Sequence, residues 1–313
     1  MQLRLHGASL GLALALGAGC ATAQVASTPD TRAHPMVDAL YVLAADSMEG
    51  RQTGTPGNER ARRFLLAQLR GIGVAPLGGS FEHPFDFTTR QGAAMQGINL
   101  LAVVRGTVEP ERYIVLSAHF DHVGVRDGEI YNGADDNASG TAAVLEIARR
   151  LRAAPPRHSV ILALFDAEEM GLRGAAAFVE SPPVPRESIM LNLNMDMVSR
   201  SEEGLLWAVG TSHYPQLKPV IEAVAAQAPV TLRMGHDTVS DTPGYDWTFS
   251  SDHGPFHRAG IPFLYFGVED HEGYHKPSDD AEAITPEFYL NAVETVWRVF
   301  RMVDSRGAEM RSR

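Results

Sequence analysis

The sequence predicts an α/β fold, a single domain built on a mainly parallel, mixed β-sheet flanked by helices. Apolar runs with the length of buried strands alternate along the chain with single amphipathic helices, which is the pattern of βαβ units. The chain shows no internal repeat and no linker after about residue 40, and its 313 residues suffice for one full core. We therefore place one domain at residues 34–313.

The first half of this domain begins with a polar, glycine-rich loop at 46–56. The next segment is predicted to be helical because its apolar residues recur at helical spacing, and Gly71 is expected to end it. Short apolar runs predict strands, and an alanine-rich run that stops before Pro155 predicts another helix. The predicted elements are helices at 58–70 and 139–151 and strands at 98–104, 113–118 and 160–165.

The second half continues the alternation to the end of the chain. Pro182 and Pro183 are expected to end a short helix, because proline cannot continue one. A long amphipathic helix closes the domain. The predicted elements are helices at 174–179, 215–226, 252–259 and 286–303 and strands at 189–195, 205–209 and 261–268.

The N-terminal segment is predicted to be a secretory signal peptide at residues 1–23. A basic start precedes an apolar run at 8–18 that is too short to span a bilayer, and residues 21–23 fit an A-x-A cleavage site. This predicts export to the periplasm or the extracellular space, with no integral membrane segment in the mature chain. Lipid anchoring through Cys20 is a poorer alternative, because Leu16 lies one position too far from it.

Charge and cysteine content limit the partners and the ligands. The 27 Lys and Arg residues against 38 Asp and Glu residues give a net charge of −11, which argues against nucleic acid and anionic membrane surfaces as partners. Cys20 is the only cysteine, so cleavage after Ala23 leaves imidazole and carboxylate as the ligands for any metal. The sequence leaves the oligomeric state open.

Five short segments that carry His, Asp or Glu follow the predicted apolar runs. In an α/β sheet such segments gather at one edge, and His with Asp or Glu is typical of divalent metal sites. Glu168 and Glu169 leave a strand in succession and point in different directions, so one can bind metal while the other faces a water molecule. The segments are 117–121, 133–140, 166–171, 194–197 and 274–279.

Together these segments resemble the di-zinc aminopeptidase family typified by bacterial leucyl aminopeptidase and aminopeptidase Y, whose relatives include glutamate carboxypeptidases and glutaminyl cyclases. The resemblance extends over about residues 40–305 and includes Gly50-Arg51 and Ser251-Asp252-His253. It implies the zinc-exopeptidase architecture, also called phosphorylase/hydrolase-like, with two zinc ions per chain. The segments from 99 to 139 follow one another too closely for the apical domain that some relatives insert.

The resemblance also implies a role for each residue. Asp121 would hold the ring of His119 in place. The other implied roles are Glu168 as the general base, Asp136 as the bridge between the ions, His119 and Asp196 as ligands of the first ion, and Glu169 and His275 as ligands of the second.

For other polar and aromatic residues the sequence predicts a role less specifically. Asp252 and His253 would either position substrate beside the metals or cap a helix. Tyr245 lies on a loop that would either wall a specificity pocket or belong to the core. His158 and His236 lie in polar stretches and are expected on the surface.

A competing motif spans residues 271–275, which spell H-E-x-x-H, the zinc signature of single-metal proteases. That motif requires a helix, so that both histidines share one face. Gly273 inside the segment and Pro277 just beyond it disfavour a helix. We therefore expect His275 to bind metal and His271 to lie at the rim of the site.

The sequence as a whole predicts an exported zinc-dependent exopeptidase, an aminopeptidase that acts on peptides with a free N-terminus. A glutaminyl cyclase, or a carboxypeptidase or dipeptidase on the same scaffold, is the alternative among enzymes. A metal-free binding module is the alternative outside enzymes. Divalent ions other than zinc would also suit these nitrogen and oxygen ligands.

Overall fold

The fold is described from a computed structural model of the chain, and the description covers residues 31–242 and 244–307. The predicted signal peptide, with Cys20, lies outside these residues. Within them, no helix combines the length and the apolar character needed to cross a membrane.

Helices and strands alternate through most of the described residues. The seven α-helices found there are α1 (Pro35–Leu43), α2 (Pro56–Ile72), α3 (Gly140–Ala153), α4 (Arg173–Glu180), α5 (Lys218–Ala225), α6 (His253–Arg258) and α7 (Pro286–Arg306). The eleven strands of the same residues are β1 (Ala75–Pro76), β2 (Glu82–Thr88), β3 (Ala94–Val104), β4 (Glu109–His119), β5 (Gly124–Arg126), β6 (Glu129–Tyr131), β7 (His158–Phe165), β8 (Ile189–Met195), β9 (Leu205–Val209), β10 (Thr231–Met234) and β11 (Phe263–Gly267).

Nine of these strands form one mixed sheet. Its order is β1-β3-β7-β4-β8-β11-β9-β10, and β2 pairs with β3 outside this path. The central strands β7, β4, β8 and β11 run parallel, as do β9 and β10. The other four pairings are antiparallel. The predicted α/β class with a mixed sheet is confirmed, although antiparallel pairing is more extensive at its edges than the βαβ pattern indicated.

The register of the parallel centre decides where the site forms. His119 pairs with Phe165, and Ser117 pairs with Asn194, so β4, β7 and β8 end nearly level with one another. The chain leaves these strands at the same edge of the sheet, at the carboxyl ends where α/β proteins place their ligands. The polar residues that follow each strand are therefore neighbours in space.

Helices cover both faces of the sheet and complete two apolar layers. The larger layer packs apolar side chains of α1, α2, α3, α5 and α7 against the sheet. The smaller layer lies under α4 and α6, where the rings of Phe165, Phe178 and Phe256 have centroids 5.7–6.2 Å apart. Because β4, β7 and β8 are packed on both faces, β7 and β8 are buried along their whole length, and β4 is buried from Tyr113 to His119.

Most helix and strand predictions are correct in type, and their ends differ for local reasons. Helix α2 begins at Pro56 after the cap Thr55, whose hydroxyl accepts from the amide of Asn58 at 3.3 Å. It continues through Gly71 and ends at Ile72, where Gly73 caps it with a φ of 78°. The predicted loop at 46–56 contains a 3₁₀ turn, Asp46–Arg51, and the start of α2. The sequence patterns did not indicate α1 or the hairpin of β2 with β3.

Candidate metal centre

The first group of site residues lies where β4 and β8 end. His119 is the last residue of β4, and Asp196 directly follows β8. The Nε2 atom of His119 lies 3.2 Å from Oδ1 of Asp196 and 3.4 Å from Oδ1 of Asp136. All three side chains are buried. One imidazole nitrogen and two carboxylates thus face a common point.

The second group shares Asp136 with the first. Oδ2 of Asp136 lies 3.0 Å from Nε2 of His275, and Oε2 of Glu169 lies 3.4 Å from the same nitrogen. The ring of Tyr274 stacks on that of His275, with centroids 4.1 Å apart. The two oxygens of Asp136 are therefore divided between His119 and His275, which is the arrangement that a carboxylate bridging two ions requires.

His122 joins the second group, although the predicted ligand set did not include it. Its Nδ1 atom lies 2.7 Å from Oε1 of Glu169 and 3.8 Å from Oδ2 of Asp136, and its side chain is fully buried. The ring is fixed by the close approach of Gly133, where a Cβ atom would overlap it. One feature of the sequence could have indicated this residue: His122 lies three residues after His119, in the segment that follows a buried strand.

The donor atoms fit divalent ions. Several buried atoms of these groups lie close together without good hydrogen-bond geometry: Nδ1 of His122 and Oε1 of Glu169 are 2.7 Å apart, and Oδ1 of Asp196 is 3.2 Å from Nε2 of His119. Nε2 of His122 has no hydrogen-bond partner. Donor atoms of His119, Glu168 and Asp196 lie within 4.8 Å of one another, as do those of His122, Asp136 and Glu169. Buried polar atoms almost always form good hydrogen bonds, so nitrogen and oxygen atoms that converge without them suit zinc or a similar ion.

Glu168 faces the cavity that opens beside both groups. The cavity has a volume of about 400 Å³, and Asp136, Glu168, Glu169 and His275 are among the residues that line it. Burial raises the pKa of Glu168 well above its usual range, against the opposing charge of His119. For Glu169, burial acts in the same direction, but the imidazoles of His122 and His275 hold its pKa below the usual range. The adjacent carboxylates therefore differ in proton affinity.

Asp121 holds the turn that carries both glutamates. Its Oδ1 atom accepts from the amide of Glu168 at 3.0 Å, and its Oδ2 atom accepts from the amide of Glu169 at 3.4 Å. The nearest contact of Nδ1 of His119 is the backbone oxygen of Asp121, at 3.1 Å, while the Asp121 carboxylate is 3.8 Å away. The implied support of His119 thus comes mainly from the Asp121 backbone, and the carboxylate orients the Glu168-Glu169 pair.

Arg51 is a supporting residue that the sequence marked without a role. Its side chain is fully buried and donates to four backbone oxygens, those of Leu43, Phe120, Asn132 and Gly133, at 2.6–2.9 Å. Burial lowers its pKa to about 10, so the guanidinium stays charged at neutral pH. It connects the segment after His119 to the segment before Asp136. The family motif included Arg51, but no sequence pattern indicated that its side chain is buried or that it supports these segments.

Asp279 supports the bridging residue. Its carboxylate accepts from the amides of Asp135 and Asp136 at 3.0–3.2 Å. Burial and then the charge of Asp135 raise the pKa of Asp279 to about 6. Asn137 fixes the same segment from the other side, since its side chain donates to the oxygen of Met195 at 3.0 Å. Asp136 is therefore held by its backbone, which leaves its carboxylate free for the site.

The H-E-x-x-H string is not helical. Residues 272–278 form turns and a bend, and His275 has a φ of 51°. The expectation that this segment lacks a helix is confirmed. His271 belongs to neither group of donors, and its Nε2 atom lies 3.2 Å from Oδ2 of the buried Asp135.

Asp252, His253 and Tyr245 have different surroundings. Asp252 is buried with neither carboxylate oxygen hydrogen-bonded, so it does not cap α6, and burial raises its pKa to about 7. The ring of His253 stacks on Tyr265, with centroids 4.6 Å apart, and burial lowers the pKa of His253 to about 4. Tyr245 lines another cavity; Phe249, from the same loop, borders the metal groups.

The surface positions expected for His158 and His236 are wrong. The His158 ring contacts the carboxylate of Asp304 at 3.0 Å and is buried. His236 is also buried and stacks on Trp247, with centroids 3.8 Å apart. Polar sequence neighbours do not show whether a ring has a packing partner elsewhere in the chain, so both errors have the same cause.

Comparison with known proteins agrees with this geometry. The profile described as peptidase family M28 matches residues 99–300. A protein of Zea mays named as a probable glutamate carboxypeptidase is 35% identical over 252 residues, which cover 72% of this chain and 33% of that protein. The aminopeptidase YwaD of Bacillus subtilis is 34% identical over 192 residues, covering 58% and 39% respectively. This chain thus spans well under half the length of either relative.

Solved structures show the same fold. A zinc aminopeptidase from Bacillus subtilis superposes with a TM-score of 0.71 at 16% identity, over 86% of this chain and 94% of the other. A glutaminyl cyclase from Porphyromonas gingivalis superposes with a TM-score of 0.69 at 22% identity, over 84% and 97%. At these identities the likeness concerns the fold, and the sequence profile, which covers the site segments, identifies the family. The chain belongs to peptidase family M28.

Proposed function

We propose that the protein is a zinc-dependent aminopeptidase that removes residues from the N-terminus of peptides. The observation that carries this proposal is the division of the Asp136 carboxylate between two groups of donors, with Glu168 beside them at the cavity wall. Membership of a peptidase family supports a peptide substrate. The named activities of the maize and Bacillus relatives support an exopeptidase.

We assign the metal ligands as the sequence resemblance implied. His119 and Asp196 would hold one ion, Glu169 and His275 the other, and Asp136 would bridge them. Bound there, two divalent ions supply positive charge that acidifies water and offsets negative charge developing on a carbonyl oxygen. The buried Oε1 of Glu169 and Oδ1 of Asp196 lack hydrogen bonds of good geometry, which supports this assignment.

We assign Glu168 as the general base. Its carboxylate takes a proton from a water molecule as that water attacks the scissile carbonyl, and then delivers the proton to the leaving amine. A base works best when its pKa lies near the working pH, and burial shifts the pKa of Glu168 in that direction. Asp121 aids this step because it fixes the amide of Glu168 and thereby the direction of its side chain.

Glu168 also lies close enough to His119 and Asp196 to be a ligand, so the test separates the two roles. We expect Glu168→Gln to keep two ions per chain in metal analysis and to lose about 100-fold or more in kcat. Loss of one ion from Glu168→Gln would instead identify Glu168 as a metal ligand. Asp86→Asn, in the exposed β2–β3 hairpin, is the control for loss of one carboxylate.

The substrate class is tested with purified, zinc-loaded protein. We expect cleavage of aminoacyl anilides and of peptides with a free N-terminus, and little cleavage of the same peptides after N-acetylation. Cleavage restricted to acetylated dipeptides would make the protein a carboxypeptidase. Release of ammonia from an N-terminal glutamine would make it a cyclase. Binding of these peptides with no product would indicate a binding module.

We also propose that the protein is exported and cleaved after Ala23. The basic start and the short apolar run of residues 1–23 support this proposal. N-terminal sequencing of protein recovered from the periplasm or the medium would give Gln24 as the first residue. A lipid-modified Cys20 at the N-terminus would instead identify a lipoprotein.

A further inference from the structure

Two arginines line the cavity that contains the metal groups. Arg90 lies in the turn between β2 and β3, and Arg258 is the last residue of α6, so they reach the cavity from separate parts of the chain. Both are exposed. The guanidinium carbon of Arg258 lies 4.6 Å from the centroid of the Phe249 ring, which borders the same cavity.

Neither arginine has a carboxylate within ion-pair distance among residues 31–242 and 244–307. Seven other arginines of that part of the chain form ion pairs with glutamates: Arg60, Arg62, Arg63, Arg105, Arg149, Arg150 and Arg298. In a chain with a net charge of −11, two unpaired cations at the site are available for a ligand.

The remaining charges at the cavity do not neutralise these arginines. The cavity carboxylates are Asp136, Glu168 and Glu169, and the proposed function engages all three with metal ions or with proton transfer. With those groups occupied, the charge left to meet a substrate is positive. A positive wall attracts a carboxylate.

We propose that the cavity selects short peptides that carry a carboxylate within one or two residues beyond the scissile bond, and that Arg258 and Arg90 recognise this group. The proposal rests on the proposed aminopeptidase function. A cavity of about 400 Å³ lies in the size range of small-ligand sites. An extended residue spans ~3.5 Å, so a carboxylate one or two residues past the reacting carbonyl stays near the cavity. Guanidinium groups bind carboxylates through paired hydrogen bonds.

The carboxylate has two possible sources, the C-terminus of a dipeptide or tripeptide and an acidic side chain. Four substrates separate them: Leu-Gly, its amide Leu-Gly-NH₂, Leu-Asp-NH₂ and Leu-Asn-NH₂. The first pair differs only in the terminal carboxylate, and the second pair only in the side-chain carboxylate. The kcat/KM ratio within each pair measures the preference for that source.

We expect the zinc-loaded enzyme to favour at least one charged member over its neutral partner, by about three- to tenfold and mainly through KM, as is typical of partly exposed ion pairs. Arg258→Met and Arg90→Met each reduce this ratio, and Arg258→Lys keeps part of it. The preference also falls as salt rises from about 0.05 M to 0.5 M, because screening weakens exposed charges. A merely structural role for either arginine would not produce this salt dependence.

Arg301→Met is the matched control. Arg301 lies on α7, away from the cavity, and its guanidinium carbon lies 5.6 Å from the Trp297 ring centroid, so the change also removes an arginine from an aromatic ring. The control should keep the wild-type ratios. A kcat/KM ratio near one within both pairs, in an enzyme that cleaves the amides, would overturn the inference and leave the aminopeptidase function standing. Ratios unaffected by Arg258→Met and Arg90→Met would do the same. Failure to cleave any of the four peptides would overturn both.

Discussion

Replacing Arg51 by methionine is a direct test of how the site is supported. Methionine keeps much of the volume of arginine but removes the four hydrogen bonds to Leu43, Phe120, Asn132 and Gly133. A buried acceptor that loses its partner costs ~1–3 kcal/mol. Four acceptors would then cost at least ~4 kcal/mol if the surrounding loops stay in place.

Two effects reduce this figure. Methionine does not have to be desolvated as a charge, an effect evident in the lowered pKa of Arg51. The loops around residues 120 and 132 will also shift to admit water. We therefore expect a loss of ~3 kcal/mol in the free energy of unfolding, which corresponds to a decrease in Tm of roughly 6–12 °C for a domain of this size.

Arg60→Met is the matched control, because Arg60 also contacts the 3₁₀ turn at Asp46–Arg51. It donates to the oxygen of Ser47 at 2.6 Å and pairs with Glu49 at 2.8 Å, but its side chain is 33% exposed. We expect a loss below about 1 kcal/mol there. Urea unfolding and thermal scans of metal-free protein measure both variants. Equal destabilisation by the two changes, or no effect of Arg51→Met, would refute the role of Arg51 as the buried support of the site.

Three further changes test the metal groups. Asp136→Asn should weaken the binding of both ions together in calorimetric titrations, because a neutral amide is a poor bridge; loss of one ion with normal binding of the other would make Asp136 a terminal ligand. His275→Ala should remove one ion per chain and most activity, while His271→Ala keeps both ions; equal losses would revive the single-metal motif. His122→Ala should lower affinity for the second ion by about 10- to 100-fold, since its ring contacts Glu169; unchanged affinity would mean that His122 only fills space.

The sequence alone determined the fold class and the set of segments that meet at the site. Strand-length apolar runs and amphipathic helices are local patterns that can be read from the sequence. Successive elements can be connected in only a few ways, so these patterns predict an α/β sheet with polar residues at its strand ends. The resemblance to the di-zinc aminopeptidase family implied roles for His119, Glu169 and Asp196, and the segments that carry them lie where β4, β7 and β8 end.

Tertiary structure decided everything that depends on contacts between distant residues. The sequence does not specify that the two oxygens of Asp136 face different histidines, because the turn at residues 134–139 is held by Asp279, more than a hundred residues away. Nor does it distinguish the exposed Arg60 from Arg51, which is buried by chain segments 69 to 82 residues further along. A local pattern records the conformation of a segment, whereas burial and charge balance depend on which other segments pack against it.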